Sequence, residues 1–97
     1  MKVIIDGRFV LDDADLHRRL AGAFGYGPIY RPGLDGLRER LSAGDPRPLQ
    51  LTWIHAACIR LALGRALFDT FVALLEEIEA QDDGKEWAKR FVFRLFD

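Results

Sequence analysis

The side chains best suited to chemistry stand in one stretch, Pro28 to Leu41, PIYRPGLDGLRERL. It opens as a loop, because Pro28 and Pro32 fix φ while Gly27 and Gly33 allow tight backbone paths. It continues as a helix: Leu34, Leu37 and Leu41 recur at three and four residues and make one apolar stripe. Asp35 and Glu39 are four apart and share a different, wet face. Asp35 falls in the first turn, where the helix dipole favours a carboxylate. Tyr30, amphipathic, stands just upstream. An aromatic ring and two carboxylates at a loop-to-helix junction suit a surface that meets cations. The same pattern also describes a capped, solvated surface helix.

Other chemistry is thinly supported. His17 and His55 are the only histidines and Cys58 the only cysteine. His55 and Cys58 are three apart and could share a helix face, but a zinc site needs about four ligands and no second pair exists. Nothing resembles an activated Cys–His nucleophile. Gly25-Tyr26-Gly27 lacks the third glycine and the preceding strand of a dinucleotide loop. Asp35 and Glu39 could form a glycosidase pair, but so small a domain has little room for a sugar cleft beside its core. No catalytic residue, metal or cofactor is therefore expected. The arginines at 18, 19, 31, 38, 40, 90 and 94 are interspersed with acids, and the formal charge is −1. That balance argues against nucleic acid or membrane as the partner.

These residues need a mount. With 97 residues the chain is expected to be one domain, 1–97, and its seven Phe help supply a dense core. The absence of a signal-peptide core at the start, of a 20-residue apolar run and of any cysteine pair leads us to expect a reducing, cytoplasmic location. Val3-Ile4-Ile5 is a short β-branched run without polar alternation, expected to be a strand covered on both faces. Asp12 and Asp13 offer an N-cap. Leu16, Leu20, Ala23 and Phe24 follow at helical spacing, with His17, Arg18 and Arg19 on other faces. Gly25 and Gly27 end that helix. A second helix runs from about Gly33 to Ser42 and is stopped by Gly44-Asp45-Pro46 and Pro48. Leu49, Leu51 and Trp53 alternate with polar residues as a second strand. A short helix from His55 to Leu63 ends at Gly64. A longer one, from about Ala66 to Ala80, buries Leu67, Phe71, Leu74, Leu75 and Ile78, and its surroundings to Gly84 carry six acids and no Lys or Arg. Phe91 to Phe96 is the last strand. Strands joined through helices pair in parallel by right-handed crossovers. The expected fold class is α/β: a three-stranded parallel sheet packed by four helices, in the order β-α-α-β-α-α-β.

With the elements placed, the chain resembles the barstar family, the intracellular inhibitors of the bacterial ribonuclease barnase. The resemblance is carried by VIIDGRFV at the first strand, by Asp15-Leu16-His17 with Leu20, and by Tyr30 to Leu41 with Leu34-Asp35-x-Leu37 and Glu39. Leu49, Leu51 and Trp53, then Phe71, Leu75 and Ile78 with Glu77 beside them, complete it. It implies a protein that plugs a ribonuclease or other nuclease toxin with a cationic active site. It also implies partner-binding residues: Ile29, Tyr30, Arg31, Asp35, Gly36, Arg38, Glu39 and Glu77. Asp35, Glu39 and Glu77 match acids that meet the enzyme's cationic side chains. The chain departs from the family pattern at five of these or adjoining positions. Ile29 replaces an aromatic, Arg31 and Gly33 replace a glycine and an asparagine, and Arg38 replaces an interface tryptophan. Pro32 is unusual in the loop. The alternatives are an interaction module that kept the fold and lost inhibition, and a small enzyme using Asp35 and Glu39.

Overall fold

The computed structural model describes residues 1–26, 33–43 and 47–97. The observed order is β1 (Lys2–Asp6), α1 (Asp13–Phe24), α2 (Leu34–Ser42), β2 (Leu49–Ile54), α3 (Ala56–Leu63), α4 (Arg65–Gln81) and β3 (Phe91–Leu95). Two single 3-10 turns, Gly7–Phe9 and Trp87–Lys89, follow β1 and precede β3. The strands lie side by side as β1-β2-β3, all parallel, so the expected β-α-α-β-α-α-β architecture is what forms.

One expectation is corrected. β1 is not covered on both faces: Val3 and Ile5 are buried, but Ile4 is 65% exposed. The reason is topological. Two successive right-handed crossovers moving in one direction across a sheet place their helices on the same face. Burial alternates accordingly. Leu49, Leu51 and Trp53 of β2 are buried and their neighbours only partly so. On the opposite face the register sets Ile4, Thr52 and Arg94 in one row and Lys2, Gln50 and Val92 in another.

The core lies between that single covered face and the helices. Trp53 is fully buried at its centre, with the Phe93, Phe71 and Phe68 rings 5.2, 6.1 and 6.2 Å away. Leu16 and Leu20 of α1, and Leu37 and Leu41 of α2, are fully buried against it. Two details of the expected stripes change. On α4 it is Phe68 that is buried, while Leu67 is half-buried, because the stripe rotates one residue toward Trp53. His17, expected on a face other than the apolar stripe, is also buried, with its ring 5.0 Å from Phe71. Burial pushes its imidazole below the usual range, and Asp13 only partly opposes this.

Local chemistry sets the helix ends. Asp12 caps α1 by accepting from Asp15 N–H at 2.8 Å. The Asp15 carboxylate reaches back to Leu11 N–H at 3.0 Å and holds Arg18 and Arg19 at 2.6 and 2.9 Å. The Arg19 bond above all, then the Leu11 N–H, lowers its pKa to about 2. Gly25, at φ 75°, takes the left-handed conformation that ends α1.

Candidate functional site

Helix α2 buries Leu37 and Leu41 completely, and that commitment turns Asp35, Arg38 and Glu39 outward, all three exposed. The three stand at i, i+3 and i+4, so they form one face. Asp35 occupies the first turn, where Gly33 provides no side-chain cap. Its charge therefore lies near the positive end of the helix dipole. Gly36 is half-buried on the flank. Arg40 turns aside, with its guanidinium 4.5 Å from the Tyr26 ring centroid.

Helix α4 buries Phe71, Leu74, Leu75 and Ile78, and so presents Glu76 and Glu77 to solvent. It packs against α2. At that junction Arg38 Nη1 donates to Glu77 Oε2 in a close ion pair, with both side chains about half exposed. The two residues are 39 apart in sequence. Of the residues expected to bind a partner, the structure thus joins Arg38 directly to Glu77 and sets Asp35 and Glu39 on the same helix face as Arg38. Ile29, Tyr30 and Arg31 lie outside the described residues. Three carboxylates and one guanidinium leave this face net acidic. Such a face can meet a cationic surface, provided that the partner's cations compete with Arg38 for Glu77.

Behind the face, the ends of α2 and α4 are tied by a buried group that sequence reasoning missed. Asp82 accepts from Arg47 Nε at 2.8 Å, Lys85 Nζ at 3.1 Å and Phe91 N–H at 2.7 Å. Arg47 also donates to Leu41 O, the carbonyl near the end of α2, at 2.7 Å. Burial alone would raise the Asp82 pKa. The Lys85 and Phe91 donors and the Arg47 charge outweigh it and hold the carboxyl below its usual range. One signal was available: an acid at a helix C-terminus opposes the dipole unless cations hold it there.

His55 is exposed at the start of α3 in a left-handed conformation (φ 51°, ψ 46°), and its carbonyl accepts from Cys58 N–H at 2.9 Å. Among the described residues no group of three His, Cys, Asp or Glu could hold a metal ion. Gly25 caps a helix. Arg18 and Arg19 are engaged with Asp15. Among the described residues no helix is long and apolar enough to cross a membrane.

Comparison with known proteins identifies the family. The family Barstar (barnase inhibitor) matches residues 1–96, essentially the whole chain. A search of curated proteins finds no match. A match of that extent, on a parallel sheet with the same helical order, means that the chain belongs to the barstar family, whose members are inhibitors rather than enzymes.

Proposed function

We propose that this protein blocks the active site of a ribonuclease or other nuclease toxin with the acidic α2–α4 face. A nuclease site is built cationic to hold phosphate, so carboxylates on a rigid helix imitate the substrate. Asp35 and Glu39 on α2 and Glu77 on α4 are the anchors. Ile29, Tyr30 and Arg31 join them from the preceding loop, and Gly36 lets the partner approach the helix closely. The observation that carries this reading is the Arg38–Glu77 contact: it brings the one α4 acid implied by family resemblance onto the edge of the α2 acidic face. Such charge matching speeds association and sets specificity. The cell that makes the inhibitor needs it in the cytoplasm, where an untimely nuclease would do harm.

A second reading draws on the same contact. Arg38 stands where the family carries tryptophan and spends its charge on Glu77. A partner without a ribonuclease site could then use this face, and the chain would be an interaction module.

One experiment separates the two. The chain is used to capture its partner from the source cell, and the captured protein is assayed for RNA cleavage with and without the chain. Inhibition supports the first reading, and capture of a protein without nuclease activity supports the second. Calorimetry then tests the face. Asp35→Ala is expected to weaken binding by about 2 kcal/mol or more, since it strands a cation on the partner. The melting temperature should fall by only a few degrees, the loss of one charge at the helix dipole. Full affinity for Asp35→Ala overturns the assignment of the face under either reading.

A further inference from the structure

The two outer edges of the sheet are finished differently. An edge strand presents a row of backbone donors and acceptors that invites another strand. On β3 two of the three outward donors are occupied from α4 and its C-cap: Phe91 N–H donates to Asp82 and Phe93 N–H donates to Glu79 Oε2 at 3.0 Å. β1 has no such cover. Gln50 N–H donates to Met1 O at 2.8 Å, so the odd residues of β1 face β2 and Lys2, Ile4 and Asp6 turn their backbone groups outward. Among the described residues nothing bonds to the outward N–H or carbonyl of Ile4. A groove runs along this edge beneath α1, lined by Ile4, Asp6, Phe9, Arg18, Gly22 and Ala23. The space over Gly22 is open: a Cβ there would meet nothing within 4 Å.

The strand is complementary to itself. Set antiparallel to a second copy with Ile4 opposite Ile4, it places Lys2 opposite Asp6 at both ends. All three pairings use the outward-facing residues, so each exchanges two backbone bonds. The exposed Ile4 side chains meet at the centre and opposite charges meet at the ends, an arrangement that favours pairing. Arg8, 2.7 Å from Asp6, keeps that carboxylate ionised with a pKa of about 2.

We propose that the protein forms a two-fold dimer by antiparallel pairing of β1 with β1 of a second copy, which joins two three-stranded sheets into one. A five-residue pairing buries less than the roughly 1,000 Å² of a stable interface, so the association is weak and depends on concentration. α1 packs on β1 and α4 on β3, so the α2–α4 face stays clear of the dimer axis.

Sedimentation equilibrium from micromolar to millimolar chain tests this, beside amide exchange. The average mass should climb from 11.0 kDa toward twice that value. The Ile4 amide should gain protection with concentration, while Val3 and Ile5, already in the ladder, should not. Lys2→Glu sets like charges opposite at both ends and should weaken association about 10-fold. Ile4→Pro removes an outward donor without touching the β2 ladder and should abolish association. A melt at low concentration checks the fold of each variant, and Lys2→Glu carries the test if Ile4→Pro does not fold. A mass fixed at 11.0 kDa at millimolar concentration, or association indifferent to Lys2→Glu, overturns the proposal.

Discussion

Replacing Asp82 with alanine would show how far the fold depends on one buried carboxylate. The Asp82 side chain is 5% exposed and Arg47 8%, and the pair fastens α2, α4 and β3 together. Alanine takes the Asp82 charge away from Arg47 and orphans the Phe91 N–H. Removing one member of a buried pair costs about 3–5 kcal/mol. An orphaned buried donor alone costs about 1–3 kcal/mol. These costs overlap, so the expected loss is about 4 kcal/mol. Against a total stability of about 5–15 kcal/mol, that is a large fraction. It corresponds to a melting temperature lower by roughly 15–30 °C for a domain of this size. Asp82→Asn keeps an acceptor for Phe91 N–H and should lose less. Urea unfolding, with the slope unchanged, is the assay. A loss below about 1 kcal/mol for Asp82→Ala would refute the reasoning, because it would mean that groups other than Asp82 hold Arg47 in place.

Three further outcomes are expected. Stability should fall with acid in two stages. His17 is buried with a lowered pKa, so the unfolded chain takes up its proton first and stability declines as pH drops through and below about 6.5. Asp15 and Asp82 also have lowered pKa values; their stabilisation is complete above the ordinary carboxylate range and is lost on the way down, for Asp15 toward about 2. Chemical unfolding from pH 8 to 2 checks both stages, and stability that rises below pH 6 would contradict them. Gly7→Ala should destabilise by about 1–3 kcal/mol or more, because its Cβ would sit 2.2 Å from His55 O and 2.8 Å from Ile59 Cγ1. Gly22→Ala, with open space around it, should stabilise α1 by about 0.5–1 kcal/mol. The two melts should therefore move in opposite directions.

What could be read from the sequence was whatever repeats at the period of an element. Leu16 with Leu20, Leu34 with Leu37 and Leu41, and the alternation through Trp53 placed helices and strands to within a residue or two. The exposure of Asp35 and Glu39 followed from the same spacing. Val3-Ile4-Ile5 misled because three β-branched residues in a row look alike whether one face or two are covered. His17 misled because a polar label says nothing of the ring that packs on it. The ion pairs Arg38–Glu77 and Arg47–Asp82 join residues 39 and 35 apart, where no local period operates. Only family resemblance tied Glu77 to the α2 acids. Ile29, Tyr30 and Arg31 fall outside the described residues and rest on that resemblance alone.

The close approach of Gly7 to His55 has a consequence for how β1 finds its place. In most half-covered strands, a slip of one residue would bury polar groups and expose apolar ones, so the pattern polices the alignment. In β1 that safeguard sits only at the ends, since a slip would exchange Val3 and Ile5 for Ile4 together with Lys2 or Asp6. The misaligned strand is stopped further along. At the end of β1, the backbone of the α3 start leaves room for a hydrogen atom and no carbon. Asp6 and Arg8, the residues on either side, would bring a Cβ into the His55 carbonyl. A single missing side chain thus reinforces, for the first strand, the alignment that Lys2 and Asp6 mark at its ends.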